Sequence, residues 1–387
     1  MKICLCGESR SIHSLKYIRF LVRRGHEVHV ISACPPEPAA IGGVVYHFIR
    51  TLNSRGIHKI TNYLLLALKH VAHIRSIQPD VLNVMFLTDF GFFGALSRFR
   101  PLVITPWGSD VLRHPYQKRF WKLAGIYALR HCDLVLCNSE TMKRELVNTF
   151  GLPERRIREI VWNGVDLDLF SPGKTAALRR QLGLEGKTVL FSNRTLKPIY
   201  RVDRILSMFA RLKQQVANAV LLITGDGPEK PYLERLGATL DISADVKFLG
   251  FIPQEHMRDY LRTADLYISV SESDSCATSV LEAMACGATI VASDIASNRE
   301  WIRHAQNGWL VDPSDLSGFT TTCLQALREP LNPAAIQTNR KRVETEADFE
   351  TNMQAIETAL RQMTAKAPRS HGASPTDNDG SRNVFGA

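Results

Sequence analysis

The chain has 387 residues, 45% of them hydrophobic and 22% charged, with a formal net charge of +10. These values are ordinary for a soluble globular protein of about two domains. No window approaches the roughly 18–20 unbroken apolar residues of a membrane span, and the start, MKICLCGESR, lacks the apolar core of a secretory signal, so a cytoplasmic address is expected.

In chain order, short β-branched runs alternate with helical patterns. The first half reads as strands at KICLCG (2–7), EVHVISA (27–33), VVYHFI (44–49), DVLNVMF (80–86), PLVITP (101–106), DLVLCNS (133–139) and REIVWNG (158–164). Helical stretches such as SLKYIRFLVRRG and TMKRELVNTFG fill most of the gaps. That alternation predicts parallel strands with helical crossovers, a doubly wound α/β domain over 1–165. NGVDLDLFSPG (163–173) breaks the pattern with Gly, Asp and Pro and reads as an interdomain linker. Strands then resume at TVLFSN (188–193), AVLLITG (219–225), VKFLG (246–250), DLYISVS (265–271) and TIVAS (289–293), a second α/β domain over 174–345. A C-terminal helix over 346–364 is expected to pack back, and 365–387, rich in Ser, Gly, Asp and Asn, reads as a disordered tail.

The charge is uneven. Residues 1–160 hold 23 Lys and Arg against 11 Asp and Glu, and the remainder 25 against 27. Clusters at Lys16/Arg19/Arg23/Arg24, Lys118/Arg119/Lys122 and Arg155/Arg156/Arg158 suit either an anionic lipid or polyanionic acceptor surface, or simple solvation. Nucleic acid is not expected as a partner, because no binding module and no aromatic–basic interleaving is found. The eight cysteines have the spacing of neither a zinc site nor a disulfide framework, which predicts buried free thiols.

Ligands of open α/β sheets bind beyond the carboxyl ends of the strands, and the chemistry-bearing residues gather there. In SESDSCATSVLEAMACG (271–287), Asp274 falls on a strand-to-helix turn and Glu282 about one turn into the helix, with Gly287 as its stop. The helix N-terminus offers backbone N–H groups near Cys276, Ala277 and Thr278 to a phosphate. Arg194, Lys197 and Arg201 cluster past the TVLFSN strand, where fixed cations would stabilise a departing diphosphate. GDGP, with Gly225 and Gly227, lacks the third glycine of a dinucleotide fingerprint and reads as a tight turn lining the cleft. Gly7 after the first strand allows close backbone approach, and His13 behind it is a candidate for acid/base or positioning work. ITPWGSD (104–110) brings Trp107, Gly108 and Asp110 together at another strand end, whereas Asp166 and Asp168 read as a turn.

The ordered set GDGP, KFLGFIP, ADLYISVS, SDSCATSVLEAMACG, NREWI and NGWLV, with LVRRGHEVHVIS, DLVLCNSE and VWNGVDLDLF before it, resembles the retaining, metal-independent glycosyltransferases of the GT-B fold, family 4. The resemblance covers about residues 1–345 and implies two Rossmann-like domains facing across a cleft. It implies that Asp274 meets the donor sugar's hydroxyls, Glu282 the nucleotide ribose, and the backbone around 277–279 the diphosphate. Arg194 and Lys197 match the basic pair that neutralises the leaving group, so no metal or other cofactor is implied. The implied partners are a nucleoside diphosphate sugar (UDP or GDP) and a carbohydrate or lipid-linked acceptor, as in cell-envelope polysaccharide, lipopolysaccharide or glycolipid assembly. The chain departs from the pattern at Asp274, where Glu is commoner, and at Ala277, where many relatives have Gly. Trp107 stands where many carry a His, which leaves Asp110 or His13 to position the acceptor. An epimerase of the same fold and an inactive sugar-nucleotide binder remain the rival readings.

Overall fold

The computed structural model describes residues 1–35, 40–50, 58–173 and 176–366. Among them, two all-parallel sheets form. The first holds β1 (Lys2–Cys6), β2 (Glu27–Ser32), β3 (Val44–Phe48), β4 (Val81–Met85), β5 (Leu102–Thr105), β6 (Leu134–Cys137) and β7 (Ile157–Glu159), in spatial order β3-β2-β1-β4-β5-β6-β7. The second holds β8 (Thr188–Ser192), β9 (Ala219–Thr224), β10 (Val246–Gly250), β11 (Leu266–Ser269), β12 (Ile290–Ser293) and β13 (Trp309–Val311), in order β10-β9-β8-β11-β12-β13. This is the GT-B architecture of two doubly wound α/β domains.

The central strands β4, β5, β6, β9, β11 and β12 are buried along their whole length, as helix-covered parallel strands must be. Side chains alternate between the two faces of each sheet. In β1, Cys4 and Cys6 join one core with Leu82, Ile104 and Leu129, while Ile3 and Leu5 join the other with Tyr17, Phe20 and Leu136. All eight cysteines are unpaired, and seven are buried. In each sheet the direction of winding reverses beside the first strand, between β1 and β4 and between β8 and β11, and such switch points open a crevice at the strand ends.

Two details differ from the sequence reading. The strand expected over 158–164 pairs only at Ile157–Glu159. Beyond it the chain leaves the sheet, because Trp162 enters the core beside Tyr17 and Leu136 and Asn163 is tied to the other domain. β13 was not expected, since three residues inside NGWLV are too few to show alternation.

The chain crosses between domains twice, and the two crossings touch. Val165 N donates to Ala347 O (2.8 Å) and Phe349 N to Val165 O (2.9 Å). A Cβ on Gly164 would lie 2.4 Å from Ala347 O, so only glycine lets the strands meet. The last helix, Phe349–Lys366, then packs on the first domain, burying Met353, Ile356, Ala359 and Leu360 against Ile3, Tyr17 and Phe20. Its Glu357, 4% exposed, meets Arg24 (2.9 Å), His26 (3.0 Å) and Arg361 (2.7 Å). The tail expected over 365–387 lies, from residue 367 onward, outside the described residues.

Because the last helix completes the core of the first domain, Leu360→Ala should destabilise it by about 2–5 kcal/mol, the usual cost of a buried leucine. Urea unfolding followed by tryptophan fluorescence measures this, and a loss within error of zero would show that the helix is dispensable.

Candidate active site

The site is built from loops that follow β8 and β11, neighbours at the switch point of the second sheet. Arg194 comes two residues after β8. Its Nη2 donates to Asp274 Oδ2 (2.6 Å), its Nη1 to Ser279 Oγ (2.7 Å), and its guanidinium lies 4.2 Å from the centre of the Tyr200 ring. Burial opposes the charge, but the Asp274 carboxylate, with Tyr200 and Tyr267 behind it, raises the pKa above the ordinary arginine value. Arg194 is therefore a permanent, immobilised cation.

The loop that carries it is held by close backbone packing. A Cβ on Gly225 would fall 2.6 Å from Arg194 O, and one on Gly227 would fall 2.3 Å from Leu196 O. The GDGP turn thus serves as a floor beneath the Arg194–Leu196 backbone. Arg201 sits in the left-handed region (φ 47°), with its head paired to Asp203 and Glu272. Lys197 is exposed, and no ion pair engages it among the described residues.

From the other side, the helix Thr278–Cys286 starts at Ala277 and is closed by Gly287 at φ 77°. Glu282, 8% exposed, accepts from Gln254 Nε2 (3.2 Å). Burial lifts its pKa to about 7, against the pull of Lys16 and Arg194. Lys16 belongs to the helix Ile12–Arg23 of the first domain; burial lowers its pKa, while Glu282 and Asp166 oppose that. The first domain thus sets a cation opposite a carboxylate of the second.

His13, on the same helix, packs edge-on to Trp107 (6.2 Å between centroids) and to Trp162 (6.0 Å). Burial first, and then Lys16, lower its pKa to about 4, so it is neutral at pH 7. Asp110 is fully buried, and its carboxylate accepts from the backbone N–H groups of Leu87 (2.6 Å), Trp107 (3.0 Å) and Gly108 (2.8 Å). It shapes the Trp107–Gly108 loop, leaving no free face for an acceptor. A Cβ on Gly108 would come within 2.7 Å of Ser275 Oγ, and that hydroxyl donates to Trp107 O (3.2 Å) across the cleft. Gly7 is required by Met85, whose Cβ would be 2.9 Å from an added one.

Further cross-domain bonds escaped the sequence reading. Asn163 Nδ2 donates to Thr278 Oγ1 (2.7 Å) and Cys276 O (3.1 Å), and Thr278 Oγ1 donates back to Asn163 O (3.0 Å). Glu300, in the NREWI stretch, accepts from Glu140 N (3.1 Å), Thr141 N (2.7 Å) and the Thr141 hydroxyl. A carboxylate of one domain thereby caps the helix Glu140–Asn148 of the other. Tyr200, Gln254 and Lys16 were also missed as site residues. None of them has a local motif that separates it from surface residues.

Two family models match the chain, Glycosyltransferase Family 4 over residues 11–169 and Glycosyl transferases group 1 over residues 174–343. The chain belongs to this glycosyltransferase family. N-acetyl-alpha-D-glucosaminyl L-malate synthase of Bacillus anthracis is 26% identical over 317 residues, 80% of this chain and 82% of that one. Among solved structures, the sucrose-phosphate synthase of Thermosynechococcus elongatus superposes with a TM-score of 0.79 at 18% identity, over 94% of this chain and 99% of that one. Anabaena HepE in complex with UDP-glucose superposes with a TM-score of 0.75 at 20% identity, over 94% and 100%. At those identities the structural likeness of the glycosyltransferase to both is one of fold.

Two cleft groups of the glycosyltransferase act on stability with opposite sign. Glu282 holds its proton up to about 7 in the fold, against 4.5 for an ordinary glutamate. The unfolded chain loses that proton first, so the contribution of Glu282 falls as pH rises from about 4.5 to 7. His13 stays neutral down to about 4 rather than 6.5. The unfolded chain takes up that proton first, so the contribution of His13 falls as pH drops from about 6.5 to 4. Urea titrations at a series of pH values should therefore show Glu282→Gln losing less stability than wild type between about pH 5 and 7, and His13→Gln losing less on acidification. Parallel curves for wild type and Glu282→Gln would mean that the carboxyl is not desolvated.

Proposed function

We propose that this glycosyltransferase moves a sugar from a nucleoside diphosphate donor to an acceptor hydroxyl with retention and without a metal ion. The observation that carries the reading is the buried Arg194 guanidinium beside Asp274 and Ser279 at the N-terminus of the helix Thr278–Cys286. A diphosphate at that helix end would gain the dipole, the free backbone N–H groups of the first turn and a fixed positive charge. Those are the interactions that a leaving group needs as its bond breaks and its negative charge grows.

In this reading Asp274 receives the sugar hydroxyls, and Glu282 accepts from the ribose. Lys197, exposed at the mouth, completes the neutralisation of the phosphates. The bond from C1 to the diphosphate oxygen breaks, and the electron pair leaves with the phosphate. The acceptor oxygen attacks from the same face, and its proton passes to the departing phosphate oxygen. His13, neutral at pH 7, orients the acceptor from the first domain with Trp107 beside it. UDP is the first base to test, because the Anabaena neighbour of the same fold holds UDP-glucose. A lipid-linked acceptor in cell-envelope polysaccharide, lipopolysaccharide or glycolipid assembly fits the basic first domain, whose residues 1–160 carry twelve more cationic than anionic groups.

A thermal-shift panel of UDP-, GDP- and ADP-sugars tests the donor site. A true donor at about 100 times its dissociation constant should stabilise the fold by about 2.7 kcal/mol, and Glu282→Ala should abolish the shift. Arg194→Ala should cut kcat by about 10²–10³-fold, the usual effect of removing a preorganised stabiliser of developing charge. Turnover should survive EDTA, and the product's anomeric configuration, read by NMR, should match the donor's. Binding of one donor with no turnover on any acceptor, even as slow hydrolysis, would favour an inactive binder with Trp107 in the reacting position. No shift with any donor would overturn the reading.

A further inference from the structure

The first domain carries an apolar face, ringed by cations, that none of the described residues covers. The helix His58–Ile77 is apolar all round in its middle, at LLLAL (64–68). Leu66, Ala67, Ile74 and Ile77 face the core, while Leu64, Leu65 and Leu68 are 56%, 43% and 66% exposed. A helix apolar on both sides is expected inside a protein or against a membrane, and this one lies at the surface. The helix Arg119–His131 is its neighbour, since Tyr63 packs against Phe120 (5.6 Å) and Trp121 (6.0 Å). There Phe120 is 50% and Leu123 66% exposed. Both helices cover the same side of the first sheet, sharing one core with Cys4, Leu82 and Ile104, so their outer surfaces look the same way.

The charge on this face has one sign. Neither the stretch 58–77 nor the stretch 111–131 contains an Asp or Glu, while Lys69, Arg75, Lys118, Arg119, Lys122 and Arg130 lie along them. Two carboxylates approach from neighbouring elements: Glu145 is taken by the Tyr116 hydroxyl, and the half-buried Asp89 is set against the Tyr63 hydroxyl. Exposed leucines and an aromatic ring ringed by cations, with both neighbouring carboxylates set against tyrosine hydroxyls, match an anionic lipid surface on both counts, apolar burial and charge. A second copy of the chain would have to bring the same cations face to face.

We infer that this face, centred on Leu65, Leu68, Phe120 and Leu123 with Lys118, Arg119 and Lys122 at its rim, docks on an anionic bilayer. The inference deepens the reading of a lipid-linked acceptor by naming the surface that would meet it. The chain runs from Trp107 and Gly108 at the cleft through two short helices, Ser109–Leu112 and His114–Gln117, straight to Lys118. Docking here sets the acceptor side of the cleft close to the lipid.

Vesicle flotation of the full chain, with phosphatidylcholine alone and with mixed phosphatidylcholine and phosphatidylglycerol, tests this. Wild type should bind the anionic vesicles more than about tenfold better than the neutral ones, and salt should weaken that binding. The triple variant Leu65→Ser, Leu68→Ser, Leu123→Ser should lose more than about tenfold in affinity for anionic vesicles. The variant Lys118→Gln, Arg119→Gln, Lys122→Gln should lose the anionic preference. Both variants should keep the donor-induced thermal shift of wild type, which shows an intact fold. Absence of binding to anionic vesicles, or binding untouched by both variants, overturns the docking face. A dimer in light scattering that the serine variant dissociates overturns it as well, in favour of a second copy. Vesicle binding without any donor shift would leave the docking face standing while the donor reading falls.

Discussion

A guanidinium removed from water is costly, and the second domain is organised around offsetting that cost. An unpaired charge would be prohibitive inside the sheet end, and a buried pair holds only when its remaining hydrogen-bond sites are filled. Arg194 has a carboxylate on one side, a hydroxyl on another and an aromatic face above it. Tyr267 adds a buried ring whose hydroxyl donates to Asn193 (2.8 Å), fixing the residue next to Arg194. The glycines at 225 and 227 then read as consequences. They let one loop lie directly on another, and that contact keeps the Arg194 backbone where its side chain can reach Asp274 and Ser279. The result is a positive charge that need not reorganise when a negative one appears beside it.

The two domains meet through polar contacts of a different character. Asn163 with Thr278, Ser275 with Trp107, and Glu300 with the helix at Glu140 and Thr141 are hydrogen bonds between groups that water could also satisfy. Each is worth little net, because folding only exchanges water for protein partners. An interface of that kind suits domains that separate to admit a ligand and close over it. Thr278 and Ser279 show how tightly this is coupled to Arg194. Adjacent residues in the first turn of one helix, they bind the opposite domain and Arg194 respectively, so closing the cleft and ordering the cation involve the same turn of backbone.

The strands were legible because parallel strands under helices need continuous apolar runs, and such runs are visible without any partner. The placement of Asp274, Glu282 and Arg194 was legible because they stand just past strand ends or within a helical turn, where spacing alone fixes the neighbourhood. Asp110 was read as a candidate to position the acceptor, and its surroundings show a buried carboxylate spent on three backbone amides, a distinction that depends on burial. Lys16 lay in plain view as one of several basic residues on a helix. Its approach to Glu282 depends on how two domains face each other, which no local pattern encodes. Tyr200 and Gln254 failed for the same reason, and β13 for being too short. Local placement was legible, and contacts assembled from distant segments were not.

The uneven charge now has a physical division of labour. In the second domain Arg194 is matched by Asp274 and Arg201 by Asp203 and Glu272, while Lys197 stays exposed; matched charges of this kind would suit short-range work on a diphosphate. In the first domain the cations at 118, 119 and 122 lie along helices that carry no Asp or Glu, beside leucines that gain nothing from water. Unpaired charges of one sign act over a Debye length, about 8 Å at physiological salt, and draw a whole surface rather than a single group. A sugar donor arrives from solution and needs the first kind of site. An acceptor anchored in lipid would be reached by the second, and the cleft between the domains is where the two would meet.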